Sequence, residues 1–262
     1  MNSSETQLIE ELLNLSHTLG SAAFDWAILG EGNTSTIVDD HVFLVKASGS
    51  QLATLNESQV APVRFKPILE ALEDNRAYSD TDVKELLSSS TIPAGAFVPS
   101  VETILHAYLL TLPGVAFVGH THVSSINGLL CSEKGWEAVS SGGRLFPDEI
   151  VVCGIAPCCV PYVDPGLPLA RTLKQNVEAF VARYGVRPKT IYLQNHGFIA
   201  LGSTSQEVVS ITKMADKCAR IMLGAFACGG PTFLSEQQVN RIATRPDEHQ
   251  RQRALGLNVE HR

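Results

Sequence analysis

The pattern of apolar and polar positions lays out most of the chain's elements. Leu8, Ile9, Leu12, Leu13 and Leu15 share one face of a helix over residues 5–20. Short apolar runs at 36–38 and 41–45 flank Asp39-Asp40 and predict a β-hairpin. Helical spacing returns over 57–72 and 80–90. Ile104, Leu105, Tyr108 and Leu109 predict a helix opened by Ser100, whose hydroxyl suits an N-cap. The run from Gly114 to Gly119 reads as a buried strand, and a helix follows over 124–131. Residues 150–153 and 158–162 read as short strands. Pro165-Gly166 precedes a long helix from Leu167 to Tyr184, which Gly185 ends. Strands at 190–193 and 198–201 flank the turn Asn195-His196-Gly197, and a helix runs from Ser205 to about Cys228. The polar tail from about residue 245 reads as an arm or a disordered segment. Strands and helices alternate, and several strands come as hairpins. This predicts an α/β fold with one mixed sheet and helices on both faces, in a single domain over residues 1–262.

Composition narrows the class. The 262 residues are 44% hydrophobic and 18% charged, which suits a globular enzyme with a sizeable core. A net charge of −7 without a basic cluster argues against nucleic acid as a partner. No apolar run is long enough for a transmembrane helix, so no membrane association is expected. The first twenty residues carry acids and no lysine or arginine, unlike a secretory signal. The six cysteines match no zinc spacing and read as buried thiols of a cytoplasmic protein.

Candidate chemistry sits at strand ends. His120 and His122 alternate along a strand, so both can project to one side and converge on one metal ion. His196 follows another apolar run, and three histidines would leave a coordination position open. On spacing alone the first pair equally fits two polar residues at a strand end. The loop Gly30-Glu31-Gly32-Asn33-Thr34-Ser35 is not G-x-G-x-x-G and leads into a strand, so it is no dinucleotide fingerprint. That loop and Lys46-Ala47-Ser48-Gly49-Ser50 can offer backbone N–H groups to an anion, or be plain tight turns. Glu102 falls in the first turn of its helix, where it either complements the dipole or takes part in chemistry. His106 lies one turn further along the same face.

Taken together, Gly32-Asn33-Thr34-Ser35, Lys46-Ala47-Ser48-Gly49, Pro99-Ser100-Val101-Glu102 with His106, His120-Thr121-His122 and Asn195-His196-Gly197 resemble the class II aldolase/adducin family. Fuculose-phosphate aldolase and ribulose-phosphate 4-epimerase typify its enzymes. The resemblance implies a three-layer α/β/α sandwich with a mixed, largely antiparallel sheet. It implies homotetramers with sites at subunit interfaces, and zinc or another divalent metal such as manganese or cobalt. His120, His122 and His196 then match the metal ligands, and Glu102 the acid/base residue. Asn33, Ser48, Gly49 and Ser100 match the phosphate pocket, and Lys46 a lysine of the epimerase branch. Val101 stands where many members have a second Ser, and no tyrosine follows Tyr192, although some aldolases use one from a neighbouring subunit. The implied activity is a metal-dependent aldolase, a lyase cleaving a carbon–carbon bond of a phosphorylated sugar or sugar acid through a metal-stabilised enediolate. A 3-oxo sugar-acid phosphate decarboxylase, a 4-epimerase and a dehydratase share the same chemistry. An adducin-like scaffold would lack the metal residues.

Overall fold

The computed structural model describes residues 3–74 and 76–257. Among the described residues, seven strands form one mixed sheet in the order β3 (Val60–Arg64), β2 (Val42–Lys46), β1 (Asn33–Ile37), β4 (Phe117–Thr121), β7 (Gly197–Gly202), β6 (Thr190–Leu193), β5 (Cys158–Val160). Contacts divide into two compact units, residues 1–121 with 163–175, and residues 122–162 with 176–262.

The first unit opens with α1 (Ser3–Leu19). Its Ile9 and Leu12 pack with Leu44, Leu55 and Val60 in one buried cluster. Burying each such side chain stabilises the fold by roughly 1.5–3 kcal/mol. Next come β1 (Asn33–Ile37) and β2 (Val42–Lys46), an antiparallel hairpin pairing Thr36 with Leu44. Its turn is held by Asp39, whose carboxylate accepts from the N–H groups of His41 and Val42. Residues 60–64 depart from the expected helix. They form β3 (Val60–Arg64), antiparallel to β2, and only then does α2 (Phe65–Glu73) begin. Val60 and Val63 favour the pleated surface, and Pro62 is tolerated because β3 is an edge strand. The unit continues with α3 (Asp80–Ser90), capped reciprocally by Ser79 and Asp82, then α4 (Thr103–Leu109) and β4 (Phe117–Thr121). β4 runs antiparallel to β1 with Asn33 directly opposite His120.

The second unit holds α5 (Ser124–Leu130), α6 (Glu133–Ser141), α7 (Pro147–Cys153) and β5 (Cys158–Val160). α8 (Leu167–Tyr184) begins among the residues counted with the first unit. Then come β6 (Thr190–Leu193), β7 (Gly197–Gly202), α9 (Ser205–Ala227), α10 (Glu236–Ala243) and α11 (Pro246–Ala254). β5 and β6 are parallel; β6 and β7 are antiparallel. The strand expected at 150–153 is instead the end of α7. Pro147 takes its first turn together with Asp148 and Glu149, and these start signals outweigh the β-branched run. Buried Arg144 braces this helix, donating to Glu149 Oε1 at 2.9 Å and to the carbonyls of Cys153 and Gly154. The tail expected to be an arm or a disordered segment instead folds as α11 over Pro246–Ala254. Arg251 bonds Asp148, and Gln252 Nε2 donates to the Val151 carbonyl at 2.9 Å. Residues 258–262 lie outside the described residues.

The described cysteines are all free, but Cys131 and Cys228 are exposed rather than buried. Burial pushes the Cys153 and Cys158 thiols up to about 12. No described helix is long and apolar enough to cross a membrane.

Candidate active site

The end of β4 sets out the first ligand-capable side chain. His120 is fully buried, and its Nε2 lies 3.6 Å from Glu102 Oε1. Gly32, with φ +66°, passes so close to this strand that an added Cβ would stand 2.6 Å from the His120 carbonyl oxygen. Only glycine combines that backbone conformation with that approach. In the second unit the His122 and His196 rings meet edge to face, with centroids 5.3 Å apart. The turn carrying His196 is held at several points. Asn195 takes a left-handed conformation at φ +53°, the His196 N–H donates to the Leu193 carbonyl, and Asn127 Nδ2 donates to the His196 carbonyl at 3.0 Å. The ligand nitrogens of His120, His122 and His196 all lie within 4.8 Å of one another. Three imidazole donors suit a tetrahedral divalent cation and leave a fourth position open, so the donor set fits such an ion.

Glu102 sits differently from the expectation. Ser100 does not cap α4 directly; a tight turn intervenes, with Thr103 N–H donating to the Ser100 carbonyl and Glu102 N–H to Ser100 Oγ. Glu102 is thereby the residue preceding the helix rather than part of its first turn. Its carboxylate is not a cap. It turns to Asn33, whose Nδ2 donates to Oε2 at 2.6 Å. The Asn33 Oδ1 faces His106 Nε2, and His106 Nδ1 lies 2.6 Å from Ser35 Oγ. Burial, reinforced by nearby His120 and opposed by the Glu102 charge, pushes the His106 ring down to about 3, so it is neutral.

The residues expected in an anion pocket come together on strand ends and loops of the first unit. Ala47 bridges Pro99, and the Ser48 N–H donates to the Val98 carbonyl at 2.8 Å, which sets Ser48 and Gly49 beside Ser100. Gly49 takes φ +78°, and an added Cβ there would meet nothing. Lys46 is 3% exposed; its Nζ donates to the Ser50 carbonyl at 2.6 Å and reaches the Gly30 carbonyl at 3.5 Å. Burial lowers its pKa, and the Glu102 charge works the other way. The lysine therefore ties the two small-residue loops together. Asn33 is brought in too, with one amide N–H committed to Glu102.

Residues 10–223 match the Class II Aldolase and Adducin N-terminal domain. The chain belongs to the class II aldolase/adducin family. A Bacillus subtilis protein designated the uncharacterized oxidoreductase YuxG is 26% identical over 223 residues, 80% of this chain but only 29% of that much longer protein. Among solved structures, the N-terminal class II aldolase domain of a Thermoplasma acidophilum protein is similar at a TM-score of 0.63 and 26% identity, covering 82% of this chain and 93% of that one. YgbL of Escherichia coli shares the fold at a TM-score of 0.65 and 20% identity, over 92% and 99% of the two chains. The L-fuculose 1-phosphate aldolase of Glaciozyma antarctica does so at 0.62 and 17%, over 92% and 81%.

Class II aldolases depend on a divalent metal, and this member of the family presents a three-histidine group. The family's enzymes are mostly aldolases and epimerases. Two side chains beside Glu102 escaped the sequence reading. Asn33 was assigned to the anion alone, and His106 was given no task. The signal for His106 was its spacing of four from Glu102, which places both on one helix face. Asn127 carried no signal, because only tertiary packing brings it to His196. A separate cavity of about 740 Å³, lined by Arg144, Arg183, Phe233 and Glu236 among others, contains none of these residues.

Proposed function

We propose that this family member is a metal-dependent aldolase, a carbon–carbon lyase acting on a phosphorylated keto sugar or sugar acid. The observation that carries the reading is the Glu102 carboxylate 3.6 Å from His120, which itself belongs to the three-histidine group. His120, His122 and His196 would hold the metal, with zinc the first choice and manganese or cobalt as substitutes. When bound, a divalent cation supplies a Lewis acid for a carbonyl and its neighbouring hydroxyl. Glu102 exchanges the proton at the carbon next to that carbonyl, using Oε1, since Oε2 accepts from Asn33. Ser48, Gly49, Ser100 and the remaining N–H of Asn33 take the substrate's phosphate, with Lys46 adding positive charge from beneath the loops. The oxidoreductase designation of YuxG is not carried over, because the Gly30–Ser35 loop leads straight into β1 and is no dinucleotide fingerprint.

The proposal extends to the chain working as one cytoplasmic domain in a homotetramer with shared sites. Ile28, Leu29, Val98 and Val101 are exposed apolar side chains on the same loops, and a neighbouring subunit would cover them.

Three measurements test the reading. Elemental analysis should find about one divalent ion per chain in the wild type and much less in His122→Ala; equal contents remove the metal assignment. The metal-loaded protein should cleave a member of a panel of ketose 1-phosphates, L-fuculose 1-phosphate among them. Glu102→Gln should keep metal and fold and lose turnover by ~10²-fold or more. A substrate inverted at a stereocentre without fragmentation would replace the lyase with an epimerase.

A further inference from the structure

We propose that His106 is a positioning residue that holds Glu102 in place through Asn33. The inference rests on the reading of Glu102 as the proton-moving carboxylate.

The hydrogen placements follow from which atoms face one another. Glu102 Oε2 lies 2.6 Å from one end of the Asn33 amide. A carboxylate only accepts, so that end is the nitrogen. The amide oxygen then faces His106 Nε2, which must carry a hydrogen. A neutral imidazole carries only one, so Nδ1 is bare and accepts from the Ser35 hydroxyl at 2.6 Å. All donors therefore run in one direction: Ser35 O–H to Nδ1, Nε2–H to the Asn33 oxygen, Asn33 N–H to Oε2. Ser35 and His106 are 0% exposed and Asn33 is 3% exposed. No bulk water can stand in for a missing member, and an aligned buried chain reinforces itself.

The consequence falls on Glu102. Oε2 is fixed by the amide, which leaves Oε1 as the oxygen turned to His120. Without the His106 donor, the Asn33 oxygen has no buried partner, and one of the two bonds that set the amide's orientation is gone. A rotated amide would set oxygen against carboxylate and push Glu102 from its aim. Supporting hydrogen bonds of this kind fix reacting groups to within fractions of an ångström. Filling the volume of His106 with an apolar ring keeps the packing and removes only this chain of donors.

Two experiments decide the matter. In protein labelled with nitrogen-15 at histidine, long-range proton–nitrogen correlation spectra at neutral pH should give His106 as the neutral Nε2–H tautomer. An Nδ1–H tautomer or an imidazolium overturns the proposal, and this readout requires no substrate. In turnover of L-fuculose 1-phosphate, or of the panel member cleaved best, His106→Phe should lower kcat by ~10-fold or more, with a smaller rise in KM, because Asn33 also meets the phosphate, and with zinc affinity nearly unchanged. His106→Gln, whose amide can still donate to Asn33, should restore most of the loss and also serves if His106→Phe fails to fold. Adding His106→Phe to Glu102→Gln should cost no further turnover. Full turnover in Glu102→Gln removes the reading of Glu102 and this inference with it. Loss in Glu102→Gln beside full turnover in His106→Phe overturns the positioning role alone. Equal loss in His106→Phe and His106→Gln also overturns it, because it would make the ring a filler rather than a donor.

Discussion

A buried neutral histidine makes stability depend on pH with a definite sign. The His106 ring falls from 6.5 to about 3 on folding. Between those values the unfolded chain takes up a proton that the folded ring refuses. The stability it leaves in place is complete above about 6.5 and is lost as pH falls toward 3, at no more than ~1.4 kcal/mol per pH unit for one group. Urea unfolding of metal-free wild type and His106→Gln at pH 7 and pH 5 checks this. The wild type should lose more stability on acidification than the variant, and a constant difference between them counts against the buried neutral ring. Gly32 gives a second outcome at this scale. Gly32→Ala strains a positive φ and pushes on the His120 carbonyl. It should cost ~1–3 kcal/mol in thermal unfolding and weaken zinc binding in a titration. The histidines and Glu102 were legible because their residue types announce chemistry and their order matched a family. The partnership of Asn33 with His106 was not. An amide beside a glycine-rich turn looks like an anion donor, and only the tertiary contact of β1 with α4 shows its oxygen facing His106.

Among the elements, errors of reading fell where two signals competed. The run Ile150-Val151-Val152-Cys153 is as good a strand as β5 by composition, yet it finishes a helix begun at Pro147. Val60–Arg64 was absorbed into a helical pattern that properly begins only at Phe65. By contrast, α3, α8 and β6 were legible to the residue, since helical spacing, a Pro-Gly start and a four-residue apolar run allowed one reading each. The helix that was misread is held by an ion pair with side chains 1% and 5% exposed, Arg144 with Glu149. Arg144→Met leaves Glu149 charged and buried, and should destabilise the protein by ~3–5 kcal/mol. The double variant Arg144→Met, Glu149→Leu should recover a large part of that. Denaturant midpoints measure both, and a single variant as stable as the wild type would show that the pair does not brace α7.

For the molecule as a whole, the family and its mixed sheet were legible, because motifs in fixed order constrain topology more tightly than any one of them constrains chemistry. Assembly was implied only by resemblance. Light scattering at micromolar concentration should give a tetramer, and Leu29→Glu with Val98→Glu should shift it to smaller species. A stable, active monomer would refute the shared site. The opposition of Asn33 and His120 across the β1–β4 ladder reaches further. The pleat makes this ladder a vernier with a pitch of one residue. A slip by a single notch presents Thr34 to His120 and turns every side chain of the strand to the opposite face. Loops such as 76–78 can therefore lengthen without touching the chemistry, whereas one deletion inside β1 or β4 would erase it while most of the fold survived. The lineage can edit its connections at leisure, but the spelling of those ten residues has to keep its letter count.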